Sequence, residues 1–182
     1  LNYLLGSILL CAFNTRIKNE LQARTTGGQA HVYTFHGYGY HLLRRLSPGL
    51  QVDKDRGLRL AAYALRAHGA PVNRDYEYAV RAAAAQAKEC APFCRDSDQI
   101  VQLAEAFGHF DSVHSAHVDI LGQATLTAME AALDATDNCC DYSDMLFIPL
   151  RRGLVRGVYD NVVVDECQDL NLAQVELAQR VL

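Results

Sequence analysis

Two adjacent carboxylates, Asp165 and Glu166, follow directly on the run Val162-Val163-Val164. Cys167, Gln168 and Asp169 come next, and Leu170-Asn171 closes the segment. Carboxylates placed this way can divide the work of phosphoryl-transfer chemistry. One holds a hard cation such as Mg²⁺, directly or through its water shell. The next orients or deprotonates the water that attacks phosphorus. Taken alone, the pattern reads equally well as an apolar strand ending in a solvated acidic turn.

The elements that must position these groups can be read outward from them. A short apolar run without alternation predicts a strand buried on both faces. Its carboxyl end is the rim at which open α/β sheets bind ligands. After it, Asn171 can cap a last helix, with Gln174 at the reciprocal position and Leu172, Val175, Ala178 and Leu182 as its apolar face. At the other end of the chain, Ser7 to Phe13 predicts a second buried strand. Asn14-Thr15 caps a helix carrying Ile17 and Leu21. Thr25-Thr26-Gly27-Gly28 signals a loop. Ala30 to Thr34 predicts another strand anchored by Val32 and Phe35, and His36 to Leu46 a helix broken by Ser47-Pro48-Gly49.

Between these α/β pieces the character changes. From about Asp53 to Asp137, Ala-rich helical patterns dominate, over Arg56–His68, Asp75–Glu89, Ser97–Phe107 and roughly Ala116–Ala135. A further helix is expected from about Tyr142 to Leu150. The fold class is therefore α/β, a parallel sheet with an inserted all-helical subdomain. The segments divide as 1–50, 51–137 and 138–182.

Composition bounds the function. A chain of 182 residues, 50% hydrophobic and 21% charged, can bury a substantial core. No apolar stretch approaches the roughly 18 residues of a membrane span. The opening LNYLLGSILLCAF lacks a basic leader and a small-residue cleavage pattern, so it reads as core rather than a secretory signal. The net charge of −4 does not by itself suggest nucleic acid. Residues 1–45, however, carry Arg16, Lys18, Arg24, Arg44 and Arg45 against Glu20, a balance of +4 that leaves −8 for the rest. A basic first quarter can meet phosphates on an acidic protein. The six cysteines read as reduced thiols of an intracellular protein, cytoplasmic or nucleoid/nuclear. Cys90 and Cys94, with His109, His114 and His117 downstream, offer a zinc reading that lacks a second Cys pair.

Four segments now stand in order: the first strand with AFNTRIKNEL, then VYTFHGYGYHLLRR, then DYSDML after the helices, then VVVDECQDLN. Together they resemble the N-terminal motor domain of UvrD/Rep-type superfamily 1 DNA helicases. The resemblance implies a partial RecA-like P-loop NTPase sheet. It also implies ATP and Mg²⁺ as cofactors, with single-stranded DNA and duplex junctions as partners. Repair or replication proteins would be further partners, and the second motor domain would lie outside this chain. Asn14, Thr15 and Lys18 would contact the DNA backbone near a helix amino terminus. Thr34, Phe35, His36 and Gly37 would line the DNA track, Phe35 offering a stacking face. Asp144 would give packing or positioning support. Asp165 would hold Mg²⁺ through its water, Glu166 would be the general base, Gln168 would sense the γ-phosphate, and Asp169 would brace the loop. Cys167 stands where a small or apolar residue is usual.

No GxxxxGK[ST] loop occurs in residues 1–182. In the family it precedes the first strand, so it is expected before Leu1, and the arginines that touch the γ-phosphate after Leu182. Residues 1–182 alone are expected to be inactive as an ATPase. The rival readings are a helicase–nuclease of recombination, a motor that translocates without unwinding, a degenerate non-hydrolysing single-stranded DNA-binding module, and a metal-dependent hydrolase using Asp165, Glu166 and Asp169.

Overall fold

The computed structural model describes residues 6–25, 30–134 and 138–182. The first five residues, most of the Thr25–Gly28 loop and the expected end of the long helix at Ala135 lie outside them. The chain runs β1 (Ile8–Ala12), α1 (Thr15–Arg24), β2 (Ala30–Thr34), α2 (Phe35–Leu46) and β3 (Gln51–Val52). Four helices follow: α3 (Arg56–Ala67), α4 (Arg74–Cys90), α5 (Ser97–Ala106) and α6 (Val118–Ala132). Then come β4 (Cys139–Cys140), α7 (Asp144–Arg151), β5 (Asn161–Val164) and α8 (Leu172–Arg180).

The helices begin where polar side chains can satisfy their free amides. Asn14 accepts from the Ile17 N–H at 3.0 Å, and Asn73 from the Tyr76 N–H at 3.0 Å. Asn171 and Gln174 form the reciprocal cap at 3.0 Å in each direction, fixing the start of α8 just after the acidic turn.

β1 is the centre of a parallel sheet of order β2-β1-β5. Every residue of β1 is buried. Leu9 and Cys11 face Phe35, Tyr38, Leu146, Leu150 and Leu177, while Ile8 and Leu10 join Val32 on the other face, where the half-buried Leu21 of α1 packs. Burial within this core pushes the Cys11 thiol up to about 12, so it is an inert packing group.

The expectation that the valine run is buried on both faces is corrected. β5 pairs with β1 and is an edge of the sheet among the described residues. Val162 and Val164 pack on the β1 core, but Val163 is 39% exposed. The cover on the α1 side reaches Leu10, its register partner, and stops short of Val163.

The short β3 and β4, which carry no signal in the sequence, pair in parallel, Gln51 with Cys139 and Val52 with Cys140. The chain thus leaves for α3 and returns from α6 at one point. A second core fills the α3–α6 group, with Ala61, Leu65, Val80, Ile100, Leu121 and Met129 buried. Small alanines on α3, α4 and α6 let these helices approach closely.

Close approach also sets α2 against α7. A Cβ on Gly39 would stand 1.8 Å from the Met145 carbonyl oxygen. Pro149 lies four residues beyond Met145 inside α7 and has no N–H to return to that carbonyl. Only glycine lets α2 pack there.

Candidate nucleotide and nucleic-acid site at the carboxyl edge of the sheet

All three strands of the sheet run in the same direction. Ala12 lies beside Thr34, and Cys11 beside Val164. The Asp165 N–H continues the ladder, donating to the Cys11 carbonyl at 3.0 Å. The segments after β1, β2 and β5 therefore emerge along one edge: Phe13–Lys18, Thr34–Gly37 and Asp165–Asp169. Two helix amino termini, of α1 and α2, add their positive dipole ends to that edge.

The acidic turn has an unusual backbone. Glu166 sits in the left-handed region at φ 55°, ψ 48°. Among the described residues, Asn138 is the only other non-glycine with positive φ. Asn tolerates that region, whereas glutamate adopts it at a cost of order 1–2 kcal/mol. The turn then closes through Asp169 N–H to the Glu166 carbonyl at 3.0 Å. The Gln168 side-chain amide donates to the Glu166 carboxylate. Asp165 is half-buried, and Glu166, Cys167, Gln168 and Asp169 are exposed. No cation is paired with these acids among the described residues.

The remaining edge residues divide. Asn14 and Thr15 are exposed, and Lys18 is half-buried beside a groove shared with Gln22, Thr25 and His31. Asn14 spends its oxygen on the α1 cap and keeps its amide donors. Thr34 likewise caps α2, its hydroxyl accepting from the Gly37 N–H at 3.1 Å. Gly37 is held close, since a Cβ there would lie 2.9 Å from that hydroxyl. His36 is half-buried, and burial holds its imidazole below the usual 6.5. Its ring meets Tyr142 edge-on at 6.0 Å. Phe35 is a correction: only 2% exposed, it packs with Leu9, Cys11 and Leu146 and presents no face for a base. It opens α2 facing back onto the sheet, which is why its side chain is core. The aromatic this edge does expose is Phe13, 51% accessible, which the strand pattern absorbed as a terminal core residue.

The profile of the UvrD/REP helicase N-terminal domain matches residues 2–182. This chain belongs to that family. Comparison with curated proteins returned no match. The mixed α/β architecture with a small parallel sheet is that of a partial RecA-like helicase domain.

Within this UvrD/REP helicase domain, Asp144 is fully buried. Arg56 Nη1 donates to it at 2.6 Å and Lys88 Nζ at 2.6 Å. The Asp141 N–H donates to the same carboxylate at 3.0 Å. Arg56 is itself 1% exposed and also reaches the carbonyls of Ala132 and Asp134. One carboxylate thus ties α3, α4 and the end of α6 to the start of α7. Arg56 and Lys88 were not read from the sequence, where each resembles an ordinary surface cation on an amphipathic helix.

The carboxylates of the turn fit Mg²⁺ by donor type. Mg²⁺ takes hard oxygens and keeps several waters, using one or two carboxylates together with substrate phosphates. Among the described residues no group of three His, Cys, Asp or Glu could enclose a metal, which also leaves the zinc reading of Cys90 and Cys94 without ligands. Cys90 accepts from the Gln86 amide at 2.9 Å, and Cys94 donates to the Asp96 carbonyl at 3.4 Å. No disulfide joins any two of the six cysteines. No helix among the described residues is long and apolar enough to cross a membrane.

Proposed function

We propose that this chain is part of an ATP-driven motor that moves 3′-to-5′ along single-stranded DNA and unwinds duplex in repair, recombination or replication. The observation that carries the reading is the convergence of the three segments, Asn14–Lys18, Thr34–Gly37 and Asp165–Asp169, on one carboxyl edge of a parallel sheet. A nucleotide-driven motor needs its acidic turn and its strand-binding surface on one rigid body, so that a change at one is felt at the other. The β2-β1-β5 order supplies that body, with β1 shared between the two.

In this reading residues 1–50 and 138–182 form the motor sheet, and 51–137 is a helical insert. Bound Mg²⁺ would neutralise phosphate charge, with Asp165 as its protein-side anchor through water. Glu166 takes the proton of the attacking water. Gln168, already hydrogen-bonded to Glu166, holds that carboxylate in place and links it to the phosphate it senses. Asp169 braces the turn through its N–H. Asn14, Thr15, Lys18 and Gly37 with Thr34 and His36 hold the strand by its backbone, and Phe13 in place of Phe35 offers a sequence-tolerant stack.

Steady-state ATP hydrolysis by the full-length protein, with and without single-stranded DNA, tests this reading. Mg²⁺-dependent turnover stimulated by DNA is the expected result. Strand binding with no nucleotide response would instead favour the non-hydrolysing module.

A further inference from the structure

The last turn of α4 reaches the segment that closes the acidic turn. Asn171 follows two residues after Asp169 and caps α8. Its side-chain oxygen accepts from the Gln174 N–H, and its own N–H donates to the Gln174 side chain, both at 3.0 Å. The side-chain amide is left over, and it donates to the Glu89 carboxylate of α4 at 3.4 Å. Among the described residues Glu89 has no other hydrogen-bond partner and no cation paired with it. It is half-buried; burial pushes its carboxyl up, and the Asn171 amide draws it partly back down. A half-buried acid with one neutral donor is a poor device for stability alone.

The same stretch of chain grips two helices of the sheet layer. Lys88, next to Glu89, holds Asp144 at the start of α7 at 2.6 Å. Arg151 at the end of α7 donates to the Pro92 carbonyl at 3.3 Å, and Arg180 at the end of α8 lies over the Phe93 ring at 4.7 Å. Residues 88–93 thus meet α7 and α8 at both of their ends. The acidic turn itself spans only Asp165 to Leu170. The ladder bond of the Asp165 N–H anchors it on one side and the Asn171 cap on the other. In so short a turn, with Glu166 already in the left-handed region, a shift of the cap moves Glu166 and Gln168.

We propose that Glu89 is a positioning residue for the acidic turn, holding the Asn171 cap so that the helical insert sets where Glu166 and Gln168 stand. The proposal rests on the ATP-hydrolysis reading given above. Glu89 acts through Asn171 rather than on the nucleotide. Its loss leaves the turn able to meet Mg²⁺ and phosphate but displaces the base from its water, and rates respond steeply to such displacement. The signature is a fall in kcat with the KM for ATP unchanged.

The test is steady-state ATP turnover by the full-length protein with saturating oligo-dT and Mg²⁺, beside a thermal melt of each variant. Glu89→Ala is expected to lower kcat roughly 10–100-fold, as loss of an outer-shell partner does, with KM near wild type. Asn171→Asp keeps an oxygen to cap α8 but sets a second carboxylate against Glu89, and should lower kcat similarly. Adding Glu89→Gln to Asn171→Asp restores the hydrogen bond in the reverse sense and should recover most of the loss. Wild-type kcat in both single variants would overturn the proposal. A double variant no faster than Asn171→Asp would overturn it too, by reducing the contact to a structural one. If the wild type itself hydrolysed no ATP, the hydrolysis reading would fail and the proposal with it.

Discussion

Two acidic constellations in this molecule face opposite fates. Asp144 is enclosed, and both its oxygens are taken by Arg56, Lys88 and a backbone amide. The Asp165–Asp169 turn is open, carries three carboxylates, and has no cation paired with it among the described residues. A carboxylate whose lone pairs are already satisfied can only hold structure. One left unneutralised beside a strained backbone can receive a cation, a phosphate-bound metal or a proton. The two differ not in residue type but in what the fold brings to them. The first collects its cations from two helices far away in sequence, α3 and α4, and the second sits where the sheet ends.

The largest effect that would break this comparison concerns stability. Asp144→Ala leaves two buried cations without their anion and is expected to cost about 3–5 kcal/mol in urea unfolding. The triple change Arg56→Met, Lys88→Met, Asp144→Leu removes the charges together and should come much closer to wild type. If Asp144→Ala were as stable as wild type, the joint would be no more than an incidental contact.

A matched pair of phenylalanines sharpens the contrast between core and edge. Phe35→Ala is expected to cost about 3–5 kcal/mol of stability by opening a cavity against Leu9 and Leu146. Phe13→Ala should leave stability nearly unchanged and weaken single-stranded DNA by about 1–3 kcal/mol. Anisotropy and urea titration on both variants separate the roles, and a stability loss at Phe13 would reverse them.

A smaller effect tests the backbone of the turn. Glu166→Gly relieves the left-handed conformation and should raise stability by about 1 kcal/mol. It also removes the carboxylate, so gain of stability and loss of turnover are expected together. A thermal melt lower than wild type would mean that the glutamate side chain holds the turn.

The smallest is a pH effect. Burial holds His36 below its ordinary 6.5, so the unfolded chain binds a proton first on acidification. Stability from the neutral ring is present above about 6.5, the unfolded value, and is lost as pH falls below it through the lower folded value. Between about pH 7 and pH 5.5 the wild-type urea midpoint should fall more than that of His36→Gln. Parallel curves would show that the ring is solvated.

Much of the fold was legible because its signals are local. The apolar run at β1, the Asn14 cap and the Asn171–Gln174 box each depend on a few neighbouring residues. What escaped depends on distant partners. The pairing of Gln51 with Cys139 joins two-residue strands that carry no periodicity of their own. Arg56 and Lys88 become buried ions only because α3, α4 and α7 meet. The exchange of Phe35 for Phe13 as the exposed ring turns on where the chain bends after each strand, which alternation does not encode. At the candidate site the acids were readable by type and order. The left-handed backbone of Glu166 was not, since glutamate is a poor marker of that conformation.

The most direct test of the account is ATP turnover by full-length Glu166→Gln, measured with single-stranded DNA beside its nucleotide affinity and thermal melt. The side chain is exposed and the substitution nearly isosteric, so fold and binding should hold. Hydrolysis should drop by about 10²–10⁴-fold, the range for loss of a positioned base. Near-normal turnover would contradict the account, and the open acidic turn would then be a solvated loop with no part in the chemistry.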